Sequence, residues 1–295
     1  LAAAAAVERG ATWIDLNCGC PIHDIVKRRM GATLLQKPAK LGELVAAMVK
    51  GIAVPVTVKI RLGWSEDEQN ASEVAKAVED AGAAALTVHG RTREQRYSRA
   101  ADWDAIARIA SERTIPVIGN GDLLTWYETH ERWQQSGVAS VMVGRGALVK
   151  PWLFREIQEK RAWEPTAEER LGVYLQFARF LKEHFRDDEK GKERTMRFLP
   201  WHLEWFSRYR PLPVEQWQEA SRQHPLMQTR LPDGDADLPV LEQLLRDPRP
   251  ELHLQLAERL WSAPDLPGLL AAGEELAAAM PPVRGELVES RVSNG

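Results

Sequence analysis

The chain has 295 residues, of which 44% are hydrophobic and 27% charged, with a formal net charge of −3. That balance supplies a core and excludes a uniformly basic nucleic-acid coat, though not a local basic patch. No apolar run reaches the ~18 residues of a membrane span, so no membrane association is expected. Two cysteines one residue apart, Cys18 and Cys20, make neither a disulfide framework nor a four-ligand metal site; no metal and a reducing, cytoplasmic setting are expected.

In chain order, the alanine-rich opening at 1–6 lacks the basic flank of a signal peptide and reads as part of a helix. Five short apolar, strand-like runs follow, each ending in a polar or glycine signature. The first leads into Asn17-Cys18-Gly19-Cys20-Pro21 and the second, Val56-Thr57-Val58, into Lys59-Ile60-Arg61. The third, Leu86-Thr87-Val88, ends in His89-Gly90-Arg91, the fourth in Asn120-Gly121-Asp122 and the fifth in Gly144-Arg145-Gly146. Helical stretches at 75–82 and 131–137 each end in a small residue and a glycine before the next strand. Alternation of this kind predicts a parallel sheet with right-handed crossovers. Chemistry gathered at the carboxyl ends of parallel strands is how a (β/α) barrel builds its active site.

After Pro151-Trp152 the strand signals stop. Helical spacing covers 166–185, with Thr166 as N-cap and Glu169 completing a capping box. A second helix is predicted at 190–209, broken at Pro200, then helices at 214–223, 238–245, 252–261 and 267–280, with a turn-rich stretch at 231–235 and a frayed end from Pro281. The fold class is therefore α/β: a partial TIM (β/α)8 barrel of about five βα units followed by an α-helical domain. A complete barrel takes about 250 residues, so the first three units are expected to be missing. The expected division is 1–160 for the barrel part, 161–248 for a helical domain and 249–295 for a helical tail.

Several residues carry candidate chemistry. A thiol is mostly protonated at neutral pH, so Cys20 is a candidate general acid or nucleophile, against the bland reading of a small buried hydrophobe. Lys59 reads equally as a structural ion pair, a Schiff-base lysine or a cation beside an anionic cofactor atom. The glycine-bearing loops at 120–122 and 144–146 suit a phosphate if they follow the last two barrel strands, and tight turns otherwise. His89 is a structural residue or, with Arg91, a phosphate or flavin-edge contact. Lys190, Arg194 and Arg197 share a helix face among Phe198, Trp201 and Trp205, which is either a solvated face or a stripe for RNA phosphates.

Taken together, NCGCP at 17–21, VKIRLGW at 58–64, VHGRTREQRY at 88–97, IGNGD at 118–122 and VGRGALVKPWLF at 143–154 resemble the tRNA-dihydrouridine synthases. The wording looks most like the bacterial branch acting on position 16 of tRNA. The resemblance implies flavin-dependent reduction of a tRNA uridine, with FMN recharged by NADPH or NADH, hydride delivered to C6 and a proton from Cys20 to C5. It puts flavin contacts on Lys59, His89, Asn120, Gly121, Asp122, Gly144 and Arg145, with Lys59 near the N1/O2 edge. Substrate contacts fall on Asn17, Arg91, Arg93, Lys190, Arg194 and Arg197. It implies tRNA as partner, no DNA, and a monomer when full length. The family's Pro-Met turn and third-strand glutamine have no counterpart here, and Lys27-Arg28-Arg29-Met30-Gly31-Ala32 stands where a glycine-rich loop is usual. The alternatives are a truncated, non-catalytic RNA-binding remnant, another FMN barrel oxidoreductase of the dihydroorotate dehydrogenase type, and a Schiff-base aldolase.

Overall fold

Five short runs form strands, β1 (Ile14–Asn17), β2 (Val56–Arg61), β3 (Ala85–His89), β4 (Val117–Asn120) and β5 (Ser140–Met142), of which the central β2, β3 and β4 are largely buried and the outer β1 and β5 are not. This computed structural model describes residues 1–229, 231 and 237–279. All four strand pairings are parallel, in the order β1-β2-β3-β4-β5. With helices between the strands, this is the α/β arrangement of a partial (β/α) barrel.

Side chains alternate across each strand, and the alternation separates core from site. Val56, Val58 and Ile60 of β2, with Leu86 and Val88 of β3, are fully buried. They share one apolar core with Leu41 and Val45 of the helix Pro38–Gly51, Val74 and Val78 of Ala71–Asp80, and Ile106 and Ile109 of Trp103–Glu112. The opposite face carries Thr57, Lys59 and Arg61. Register then lines up the polar strand ends: Asn17 lies opposite Lys59, Arg61 opposite His89, His89 opposite Asn120, and Asn120 opposite Met142.

The residues cluster into two compact units. The first holds Leu1–Gly146, Ile157–Lys160 and Val214–Thr229; the second holds Ala147–Glu156, Arg161–Pro213 and the described residues beyond Thr229. This differs from the division at 160 and 248. The helix Val214–Gln223 belongs to the first unit because it packs on the helix Trp126–Ser136. The helices Pro250–Ser262 and Leu266–Ala278 are no separate tail, since they pack on Ala167–Phe185 and the helices around it.

Within the second unit, Ala167–Phe185 starts at the expected Thr166–Glu169 capping box. The helix expected at 190–209 is two helices, Glu189–Thr195 and Leu199–Phe206. The break precedes Pro200, which sits in the first turn of the second helix, where a missing N–H costs nothing. Trp152 stacks edge-on against Trp163, Phe206 and Tyr209 at 5.1–6.0 Å. Arg170, fully buried, lies over the Tyr209 ring at 4.9 Å and pairs with Glu242. The turn-rich stretch at 232–235 and the expected frayed end from Pro281 lie outside the described residues.

Candidate active site

The strand ends of the first unit open into one cavity of about 270 Å³. Its lining includes Asn17, Gly19, Cys20, Lys59, Arg61, His89, Arg91, Tyr97, Asn120, Gly121, Asp122, Met142, Gly144, Arg145 and Met227. Cys20 and both glycine-bearing loops thus line one cavity.

The cysteine loop is shaped from three sides. Asn17 Oδ1 accepts from the backbone N–H of Gly19 and of Cys20, each at 3.0 Å, which turns the chain sharply after β1. Arg61 Nε donates to Gly19 O at 2.8 Å and its Nη1 to Thr92 O at 2.9 Å, tying this loop to the one after β3. Gly31, at φ 59°, passes so close that a Cβ would stand 2.7 Å from Cys20 O; only glycine fits there. The two thiols differ sharply: Cys18 is buried and its pKa is pushed up to about 12, first by burial and then by Asp15, whereas Cys20 is partly exposed in the cavity. Cys18 is chemically silent at neutral pH.

The floor is a charge network around Asp122. Arg91 Nη2 donates to Asp122 Oδ2 at 2.5 Å with both side chains inaccessible. Ala101 N donates to the same oxygen, while Arg145 Nη2 reaches Oδ1 at 3.0 Å. Arg145 also lies over the Tyr97 ring at 3.8 Å. Lys59 Nζ donates to Asn120 Oδ1 at 3.1 Å, and Asn120 Nδ2 donates to Met142 O at 2.8 Å, so the lysine is oriented by an amide itself fixed to β5.

Four cations, Lys59, Arg61, Arg91 and Arg145, line the cavity against the carboxylate of Asp122. Burial, helped by Arg61 and opposed by Asp15, brings Lys59 down to about 8, so it stays largely charged at pH 7. Burial likewise draws Arg61 down to about 10, still cationic. His89 is held well below its ordinary value by burial and then by Arg61, Lys59, Arg91 and Arg145, and is therefore neutral. Arg91 Nη1 stands 3.1 Å from His89 Nε2. Arginine only donates, so Nε2 accepts and Nδ1 carries the proton.

Not every expected contact comes to this cavity. Arg91 lines it but spends its guanidinium on Asp122, His89 and Arg99 O, so it organises the floor rather than presenting itself to a substrate. Arg93 is not among the lining residues; it stacks over Trp64 at 4.6 Å. Lys190, Arg194 and Arg197 are exposed residues of the second unit, with Arg197 paired to Glu193. Sequence reasoning assigned no site role to Arg61, Tyr97, Met142 or Met227. Arg61 and Tyr97 lay within quoted motifs, whereas nothing local marked Met227.

The model of the dihydrouridine synthase (Dus) family matches residues 1–236. This chain belongs to that family. Among curated relatives, the "tRNA-dihydrouridine(47) synthase [NAD(P)(+)]-like" protein of Rattus norvegicus is 43% identical over 206 residues, covering 68% of this chain and 31% of the relative. Its Homo sapiens counterpart is 41% identical over 204 residues, with the same two shares, and that of Arabidopsis thaliana 39% over 214 residues, covering 70% and 30%. The chain thus spans about a third of the length of the curated relatives it matches. These relatives are named for position 47 of tRNA, whereas the motif wording resembled the branch acting on position 16.

Proposed function

We propose that this Dus-family chain reduces a uridine of tRNA to 5,6-dihydrouridine, using FMN recharged by NADPH or NADH. The observation that carries the reading is the meeting of Cys20 with a cation-lined, glycine-bordered cavity at the strand ends. The donor set fits a phosphorylated flavin. Gly144 leaves open space where a Cβ would stand, and Gly121, at φ 139°, holds the backbone in a conformation other residues rarely adopt. Arg145 supplies positive charge between these loops, and Lys59 supplies it next to Asn120.

The chemistry a flavin would supply when bound here is hydride donation to C6 of the uracil. The C5=C6 double bond then opens, and the electron pair left at C5 takes the proton that Cys20 Sγ holds, which makes Cys20 the general acid. Asn17 and Arg61 hold Cys20 at the cavity by fixing the Gly19–Cys20 peptide through its N–H and its C=O. Lys59, charged and partly desolvated, would stabilise negative charge on a ring system held beside it. Neutral His89 offers an Nδ1–H donor without adding charge.

A base reaches such a cavity only by leaving its stack, so backbone contacts must anchor the RNA. Exposed Lys27, Arg28 and Arg29 beyond the cysteine loop, and Lys190, Arg194 and Arg197 in the second unit, are the proposed anchors. The relatives' names favour position 47 as the target over position 16. A tRNA substrate also agrees with the expected cytoplasmic setting. In a mass-spectrometric assay of tRNA supplied with NADPH, Cys20→Ala should lose multiple-turnover dihydrouridine formation while still binding flavin; full activity of that variant would refute the assignment.

A further inference from the structure

The cavity is completed by a stretch of chain far from any of its strands. After the helix Val214–Gln223, held to the helix Trp126–Ser136 by Gln218 and Arg222 on Glu131, the chain turns at Pro225. The buried Leu226 then donates its N–H to Glu128 Oε1 at 2.8 Å. Glu128 is the buried carboxylate of the Thr125 capping box, whose other oxygen accepts from Thr125, so this anchor is itself rigidly held. With Leu226 fixed, Met227 lines the cavity and Gln228 Nε2 stands 3.2 Å from Asp122 Oδ1, although 106 residues separate the pair in sequence.

Asp122 Oδ1 is therefore shared. Arg145 Nη2 and Gln228 Nε2 both donate to it, while Oδ2 is committed to Arg91 and Ala101 N. A carboxylate oxygen that accepts from a neutral amide draws less on its cationic neighbour. What stands at position 228 accordingly tunes how strongly Asp122 holds Arg145.

Resting on the flavin reading above, we propose that Gln228 is a positioning residue of the anion site: by sharing Asp122 Oδ1 it sets how much of Arg145's positive charge is available to the phosphate of a bound ligand. A carboxylate at 228 would sit beside Asp122 and compete for Arg145, whereas an ammonium would take over Oδ1 and release Arg145. The charge at 228 thus predicts opposite outcomes for two variants of similar length, and a role in packing alone does not.

The test titrates FMN, and riboflavin as the phosphate-free control, into the full chain and its Gln228→Glu and Gln228→Lys variants, following flavin fluorescence. Gln228→Glu should weaken FMN binding by about tenfold, the scale of one like-charge contact in a partly buried site. Gln228→Lys should bind FMN at least as tightly as the unaltered chain, and riboflavin should be indifferent to both. Unchanged FMN affinity in Gln228→Glu, or equal losses in both variants that riboflavin shares, would overturn the proposal. If the unaltered chain bound no FMN, the flavin reading would fail. The same order of variants, read through inorganic phosphate's protection against thermal unfolding, would still decide the role of Gln228.

Discussion

Both units bury arginine beside aromatic rings, yet the two arrangements serve different ends. In the second unit charge is matched locally: Arg170 pairs with Glu242 over Tyr209, and Lys150 pairs with Glu156 at 2.5 Å. In the first unit Lys59, Arg61, Arg91 and Arg145 face Asp122, and the imbalance is left open to a cavity. Pairing that closes on itself builds structure. An excess of desolvated positive charge at the ends of parallel strands builds a site for an anion.

The sharpest way to break this contrast is to remove one charge from each unit. Asp122→Asn keeps the shape and an acceptor but leaves the inaccessible Arg91 without its counter-charge, so urea unfolding should show a loss of roughly 3–5 kcal/mol. Arg170→Met leaves Glu242 beside Arg246 and puts an apolar chain among Phe206 and Tyr209, so its loss should stay within about 1.5 kcal/mol. Equal losses would mean that the two networks are of one kind.

A second contrast is pH-dependent. Lys59 is held near 8 in the folded protein against 10.5 ordinarily, so between those values the unfolded chain binds more protons. Stability should therefore rise from about pH 8 to about pH 10.5, and the burial penalty should stand in full below that window. Lys59→Met should flatten this rise in denaturation curves taken across the window. Flavin affinity should move the other way, falling as pH passes 8 and the ammonium loses its charge.

The smallest expected difference lies between the two capping boxes. Thr125 is buried and its Glu128 partner also holds Leu226, whereas Thr166 and Glu169 cap an exposed helix start. Thr166→Ala should cost about 1 kcal/mol and leave flavin affinity alone. Thr125→Ala should cost more and should loosen flavin as well, because Glu128 anchors the segment that carries Gln228. Flavin binding as tight in Thr125→Ala as in the unaltered chain would separate cap from cavity.

The strands and most of the cavity were legible in the sequence because each chemical signature follows directly on a short apolar run. Period-two alternation alone puts Val58 in the core and Lys59 in the site. The capping box at Thr166 was equally local. The break at Pro200 was legible too, because a proline cannot continue the preceding helix and fits the first turn of the next. Arg91 illustrates a deeper limit: a cation beside a strand-end histidine looks like a ligand contact, but Asp122, supplied by another strand end, claims it. Met227 and Gln228 were invisible because their role arises from a helix folding back onto the helix Trp126–Ser136, which no short-range pattern encodes.

On the proposed reading, the strand-end cavity recognises a flavin through its phosphate while Cys20 stands beside it. Titrating FMN and riboflavin into the unaltered chain tests this most directly. The expected result is FMN binding at least tenfold tighter than riboflavin, roughly the effect of one charge-assisted contact, with the advantage shrinking as salt is raised. Equal affinity for the two flavins, or binding of neither, would contradict it.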